Sequence, residues 1–172
     1  MRVDEASPDD TDVARVVGAL HAASRAAAYA GLVDAAALAR VTPERQAAVW
    51  RDRLAQPHRR ATLLVATTDQ GEPVGFAHGC TDGPPAAEAQ LDAIHVLPEH
   101  LGRGAGPLLL EAAVARFAAW GCSGAWLWVV EGNERAQAFY RREGWTHDGT
   151  RESHEVGGSI VPILRYRRPL PR

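Results

Sequence analysis

The chain contains no lysine: all 19 of its basic residues, in a length of 172, are arginine. That absence excludes a Walker-type phosphate loop, which needs its lysine beside the phosphates, and Schiff-base catalysis, which needs a side-chain amine. Ala, Gly, Pro and Arg are abundant together, the residue set that G- and C-rich coding DNA favours. Cysteine is scarce as well. Cys80 and Cys122 stand far apart and outside any CxxC or CxxH spacing, so neither a metal site nor a disulfide framework is indicated, and a reducing compartment is expected. Long apolar runs are missing, and even the stretch from Ala19 to Ala39 is interrupted by His21, Arg25 and Asp34. Met1 to Asp10 is polar and acidic where a secretory leader is basic and then apolar. A cytoplasmic protein with no membrane partner is the expectation. The formal net charge of −2 leaves no bulk electrostatic footprint for nucleic acid.

What is present is ordinary for a globular chain: 46% hydrophobic and 23% charged residues. The length fits one domain, residues 1–172, large enough to bury a core without covalent staples. Arg2 to Ala6 reads as a first strand, and Ser7-Pro8-Asp9-Asp10 as a helix start before Val13, Val16, Val17 and Leu20 at helical spacing. Gly31 is expected to end that helix. A short helix over Asp34 to Arg40 follows, then one from Thr42 to about Ala55, with Thr42 as cap and Pro43 at the first helical position. Ala61 to Thr68 and Pro73 to Thr81 form a hairpin, and Gly83-Pro84-Pro85 opens a loop before a strand from Ala89 to Leu97. A helix from Pro107 to Trp120 follows, then the continuous apolar run Ala125 to Val130, which reads as a central strand covered on both faces. A helix from Asn133 to Arg142 and two strands bracketing Gly157-Gly158 close the chain. This order predicts a mixed α/β fold with helices on both faces of the sheet.

Two segments carry chemistry. Leu101-Gly102-Arg103-Gly104-Ala105-Gly106 lies between a strand and a helix start, where glycines permit positive φ and the first N–H groups of the helix lack partners. Such a turn cradles an anion. Asn133-Glu134-Arg135-Ala136-Gln137-Ala138-Phe139-Tyr140 opens on a capping residue and sets Tyr140 two turns on, nearly on the face of Asn133. Alone, a glycine-rich hexapeptide is more often a plain loop, and a helical tyrosine more often core. Together, on successive strand-to-helix junctions, they suggest chemistry on a phosphorylated cofactor.

Spaced in this way, the two segments resemble the signatures of the GNAT superfamily of acyl-CoA-dependent N-acyltransferases, and the resemblance runs from the first strand to the last. The pyrophosphate signature opens with Gln or Arg, where this chain has Leu101, and its two small positions are Gly104 and Gly106; Pro107 is a second departure. The second signature is matched by Asn133, Ala136, Phe139, Tyr140 and Gly144, with Trp145 where Phe is common. The resemblance implies a mixed, mostly antiparallel sheet of about six or seven strands flanked by helices. It implies acetyl-CoA as donor, no metal, and an amine acceptor that is either a small molecule or a peptide. It implies pyrophosphate binding by Leu101, Gly102, Arg103, Gly104, Ala105 and Gly106. Ile94, His95 and Val96 would pair with the pantetheine, Asn133 would contact that arm or order its loop, and Tyr140 would stand near the sulfur. His21, Ser24, Arg25 and Tyr29 would line the acceptor pocket, and a homodimer is expected by family habit.

Acyl transfer needs a neutral amine, a donor to the developing oxyanion and an acid for the departing thiolate. Tyr140 is the expected acid, because a phenol with a pKa of about 10 can protonate a thiolate whose thiol sits near 8.5. The expected oxyanion donor is the Val96 N–H. The resemblance implies a glutamate base on the strand before the glycine-rich turn or on the central strand after it, but Gln90 and Trp128 occupy those places, leaving Asp92, His95 and Glu131 as candidates. On a regular strand Asp92 and His95 face opposite sides, so only a bulge would bring both to the acceptor. Arg103 is placed to reach a phosphate, whereas Arg165, Arg167, Arg168 and Arg172 read as charges that protect a sheet edge. Cys80 and Cys122 lack the neighbouring histidine of an acyl-enzyme, which favours direct attack in a ternary complex. A CoA-binding regulatory or sensory module without turnover is the alternative.

Overall fold

Among the described residues, seven strands form one sheet whose buried strands, Pro73–Thr81 and Gly124–Val130 above all, carry the apolar runs, and helices pack on its two faces. The computed structural model describes residues 1–7, 12–58, 60–83 and 87–170. In chain order the elements are β1 (Arg2–Glu5), α1 (Val13–Ala28), α2 (Ala35–Ala39), α3 (Pro43–Leu54), β2 (Arg60–Thr67), β3 (Pro73–Thr81) and β4 (Glu88–Val96). After a 3₁₀ turn (Pro98–His100) come α4 (Ala105–Ala119), β5 (Gly124–Val130), α5 (Glu134–Arg142), β6 (Thr146–Val156) and β7 (Ser159–Pro169). The helix start expected at Pro8 to Asp10, the turn at Pro84-Pro85 and Arg172 lie outside the described residues. No helix among the described residues is long and apolar enough to cross a membrane.

Local chemistry sets the boundaries. Asp34, Thr42 and Asn133 accept the N–H groups of Ala37, Arg45 and Ala136 at 3.1, 3.3 and 3.2 Å, capping α2, α3 and α5. The hairpin β6–β7 turns at Gly157 and Gly158, whose φ values of 57° and 92° suit a tight two-residue turn. The first long helix stops at Ala28 rather than Gly31, because Tyr29 leaves helical geometry with its N–H on the Arg25 carbonyl.

The sheet order is β1-β2-β3-β4-β5-β7-β6, and only β4 and β5 run parallel. The apolar strand β5 is central, between β4 and β7. One face packs against α4 and α5 through Leu109, Phe117 and Tyr140; the other packs against α1 and α3 through Val17, Trp50 and Phe76. A third cluster joins Ala37 of α2 to Val156, Val161 and Ile163.

Where α1 crosses α3, Gly18 leaves no room for a side chain: a Cβ there would lie 2.5 Å from the Ala47 nitrogen and 2.7 Å from its Cα. Alanine is the better helix former by about 1 kcal/mol. The obstacle is backbone, however, so overpacking dominates, at about 1–3 kcal/mol. Gly18→Ala is expected to lower the melting temperature by several degrees; an unchanged or raised value would show that α1 can shift freely.

Candidate active site

Pairing between β4 and β5 covers only Glu88↔Gly124, Ala89↔Ala125 and Gln90↔Trp126. Beyond Gln90 the two strands separate, and a cleft of about 960 Å³ opens between them. The Leu97 N–H is bonded to the Val74 carbonyl on the β3 side at 2.9 Å. Strand alternation therefore aims the N–H groups of Val96 and Ile94 at the opposite, unpaired edge, into the cleft. These are donors for an extended arm or a carbonyl oxygen.

The glycine-rich turn stands at the end of that edge. Gly102 and Gly104 have φ of 73° and 93°, a conformation that favours glycine, and Gly104 is the N-cap of α4. Among the described residues, none of the N–H groups from Gly102 to Gly106 has a hydrogen-bond acceptor. These donors lie in the turn that leads into a helix N-terminus, a setting that suits an anion such as a pyrophosphate. Gly106 lies 3.6 Å, measured from a Cβ built there, from the ring of Phe139, so the start of α4 lies close beside α5. Pro107 occupies the first turn of α4, where a missing N–H costs no intrahelical bond.

Helix α5 carries Tyr140 into the cleft wall. The ring is buried against Phe139, Trp145 and Tyr166, with centroids 5.3–6.2 Å away. Burial, and after it the neighbouring Tyr29, raise the phenol above its ordinary range, so it stays protonated. Among the described residues its hydroxyl has no hydrogen-bond partner. Asn133 caps α5 and also lines the cleft.

A β-bulge shapes the cleft wall toward α1 and α3. His78 pairs with Ala93 and Gly79 with Leu91, which makes Asp92 the extra residue. The inserted residue shifts the side-chain alternation, so Asp92 and His95 face the same side, toward α1 and α3. The Asp92 carboxylate accepts from His78 Nδ1 at 2.9 Å and from the Cys80 thiol at 3.4 Å. Burial first, then the Asp92 charge, push the Cys80 thiol up to about 12, so it is no nucleophile.

His95 Nδ1 lies 2.9 Å from the Ser24 hydroxyl, which donates its one proton to the His21 carbonyl at 3.1 Å. Ser24 then accepts from His95 Nδ1–H; this network assigns the tautomer and leaves His95 Nε2 as an acceptor. His21 Nδ1 accepts from Trp50 Nε1 at 2.8 Å. Burial, with Arg25 adding to it, pushes His95 down to about 3, and burial followed by His95 and Arg25 holds His21 lower still. Both rings are neutral in the folded chain at pH 7, while unfolded histidines titrate near 6.5. As pH falls through 6.5 the unfolded chain binds more protons, so stability declines. Between pH 6.5 and 5.5 the loss is expected to be about 1 kcal/mol per histidine. His95→Gln should flatten that slope in urea titrations; an unchanged slope would remove His95 from the account.

His21, Ser24, Arg25 and Tyr29 do converge on the cleft, as do Ile94, His95, Val96, Leu101, Asn133 and Tyr140. Gly102, Gly104 and Gly106 line the cleft, whereas Arg103 and Ala105 are not among its lining residues. Glu131, a base candidate from the sequence, is not among the cleft-lining residues; Arg151 holds it at 2.6 Å and keeps its carboxyl below the usual range. Arg165 and Arg167 are bonded to Asp148 and Glu88 at 2.8 and 2.5 Å. Gln46, Trp50, Arg53, His78 and His154 were not legible as site residues, since no local motif marks them.

Residues 29–145 match the model of the acetyltransferase (GNAT) family. An uncharacterized N-acetyltransferase of Mycobacterium tuberculosis is 35% identical over 92 residues, 54% of this chain and 57% of that protein. A peptidyl-lysine N-acetyltransferase of Salmonella typhimurium is 33% identical over 109 residues, 63% of this chain and 66% of that one. The match thus spans little more than half the length of the mycobacterial relative. Among solved structures, a GCN5-related N-acetyltransferase from Rhodopseudomonas palustris superposes with a TM-score of 0.75 at 23% identity, covering 98% of this chain and 95% of that one. The PaiA N-acetyltransferase of Thermoplasma acidophilum, solved in complex with coenzyme A, gives 0.69 at 18% identity over 96% and 98%.

Proposed function

The chain belongs to the acetyltransferase (GNAT) family, and from that premise we propose that residues 1–172 form one domain that transfers an acetyl group from acetyl-CoA to a primary amine. The observation that carries this reading is the row of unpaired N–H groups from Gly102 to Gly106, in a turn whose Gly102, Gly104 and Gly106 line the same cleft as the unpaired edge of β4. Acetyl-CoA supplies the acetyl group already activated as a thioester. The N–H groups of the turn hold its pyrophosphate, and the β4 edge aligns the arm. The Val96 N–H donates to the carbonyl oxygen as negative charge grows there. Asp92 takes the proton of the incoming ammonium, directly or through water, so that the nitrogen attacks as a neutral amine. His95, depressed by burial, stays neutral and accepts a hydrogen bond at Nε2. Nitrogen bonds to the carbonyl carbon, the carbon–sulfur bond breaks, the Tyr140 hydroxyl protonates the departing sulfur, and the second proton lost by the nitrogen restores the Tyr140 phenol through water.

Free-thiol release from acetyl-CoA, followed across a panel of amines, tests the reading. Amine-dependent thiol release is expected, and Asp92→Asn should lower kcat/KM by roughly 10²-fold or more with loss of the limb that reports the base. Tight CoA binding with no product from any amine would instead identify a binding module.

A further inference from the structure

The acceptor end of the cleft has a charge pattern that the transfer reaction does not use. Arg25 from α1 lies against the Tyr29 ring at 5.6 Å, and Arg53 from α3 lies over the Trp50 ring at 5.1 Å. Neither guanidinium is paired with a carboxylate among the described residues. Arg25 Nε is buried and has no hydrogen-bond partner, and the same holds for Gln46 Oε1 on α3. Asp92 is the one carboxylate on the cleft wall among the described residues, and it is already bonded to His78 and Cys80. Burial and, after it, the charges of Arg25 and Arg53 hold His154, on the same wall, below the usual imidazole range.

A buried donor without a partner is destabilising, and two guanidinium groups without a carboxylate on one wall repel any further cation. Arginine's planar fork matches a carboxylate through two parallel hydrogen bonds. We infer that the acceptor is a small amine carrying a carboxylate, of the amino-acid class, with Arg25 and Arg53 holding the carboxylate and Gln46 Oε1 accepting from a donor on the same molecule. The ammonium end then points toward Asp92. Polyamines, aminoglycosides and lysines in basic peptides meet the wrong sign of charge at this end.

The inference rests on the acetyl-transfer reading for its turnover assay but not for its binding assay. The twenty standard amino acids, their amides and the corresponding decarboxylated amines are offered with acetyl-CoA. At least one amino acid is expected to exceed its amide and its amine in kcat/KM by tenfold or more. Arg25→Met should bring that ratio toward one through KM, Arg25→Lys should restore part of it, and Arg53→Met gives an independent check if the Arg25 variants fold poorly. Equal or better use of the amides and amines, or of a basic peptide, overturns the inference and leaves acetyl transfer standing. If no amine is acetylated, transfer itself fails, and calorimetry on the CoA-loaded protein decides the inference. Binding of N-acetyl-L-phenylalanine over its amide, lost in Arg25→Met, supports it; absence of that preference overturns it.

Discussion

Tyr140→Phe is expected to lower kcat by roughly ten- to a thousand-fold while leaving acetyl-CoA affinity close to that of the parent. The ring packs among Phe139, Trp145 and Tyr166, contacts that phenylalanine reproduces, so the fold should tolerate the change. What is lost is one hydroxyl, kept protonated by burial and free of partners among the described residues. The expected loss starts below the usual range for acid–base groups because a thiolate leaves with little help. Steady-state kinetics beside CoA calorimetry give both numbers. Unchanged turnover would take the acid role from Tyr140, and a matching loss of CoA affinity would make it a packing residue instead.

Gly104→Val is expected to weaken acetyl-CoA binding by roughly 10²- to 10⁴-fold. Its φ of 93° is strained for a β-branched residue, so the turn must rearrange and the N–H row must scatter. A hydrogen bond to a charged group contributes about 1.5–3 kcal/mol, and losing two of the five accounts for that range. Gly71→Val is the control, because Gly71 has a φ of 83° in the β2–β3 turn, outside the cleft lining. It should carry similar backbone strain with CoA affinity intact. Equal weakening in both variants would mean that general destabilisation, and not the cradle, is being measured.

Much of this was legible in the chain because it rests on local pattern. The cradle needed glycines at Gly102 and Gly104 between a strand and a helix, the cap of α5 needed Asn133, and the Gly157-Gly158 turn needed two residues able to take positive φ. Each is read within a window of a few residues. The acceptor side was not local. Trp50 reaches His21 across 29 positions and Ser24 reaches His95 across 71, so no periodicity marks either pair. Glu131 had a suitable type and position on paper, yet Arg151 of β6 holds it away from the cleft.

The sequence by itself determined the order of elements, the glycine-rich turn and the place of the phenol, since backbone conformation and helical spacing are imposed by neighbouring residues. Only the tertiary structure decided which acidic and imidazole groups share the acceptor site. One extra residue at Asp92 changes the side on which it faces, and that residue becomes extra only through its pairing with β3. The opening of the cleft is likewise a matter of pairing: β4 and β5 meet at three positions and then part, while β7 accompanies β5 along its length. The unpaired Arg25 and Gln46 belong to the same class of fact, because a missing partner is visible only once every distant segment is in place.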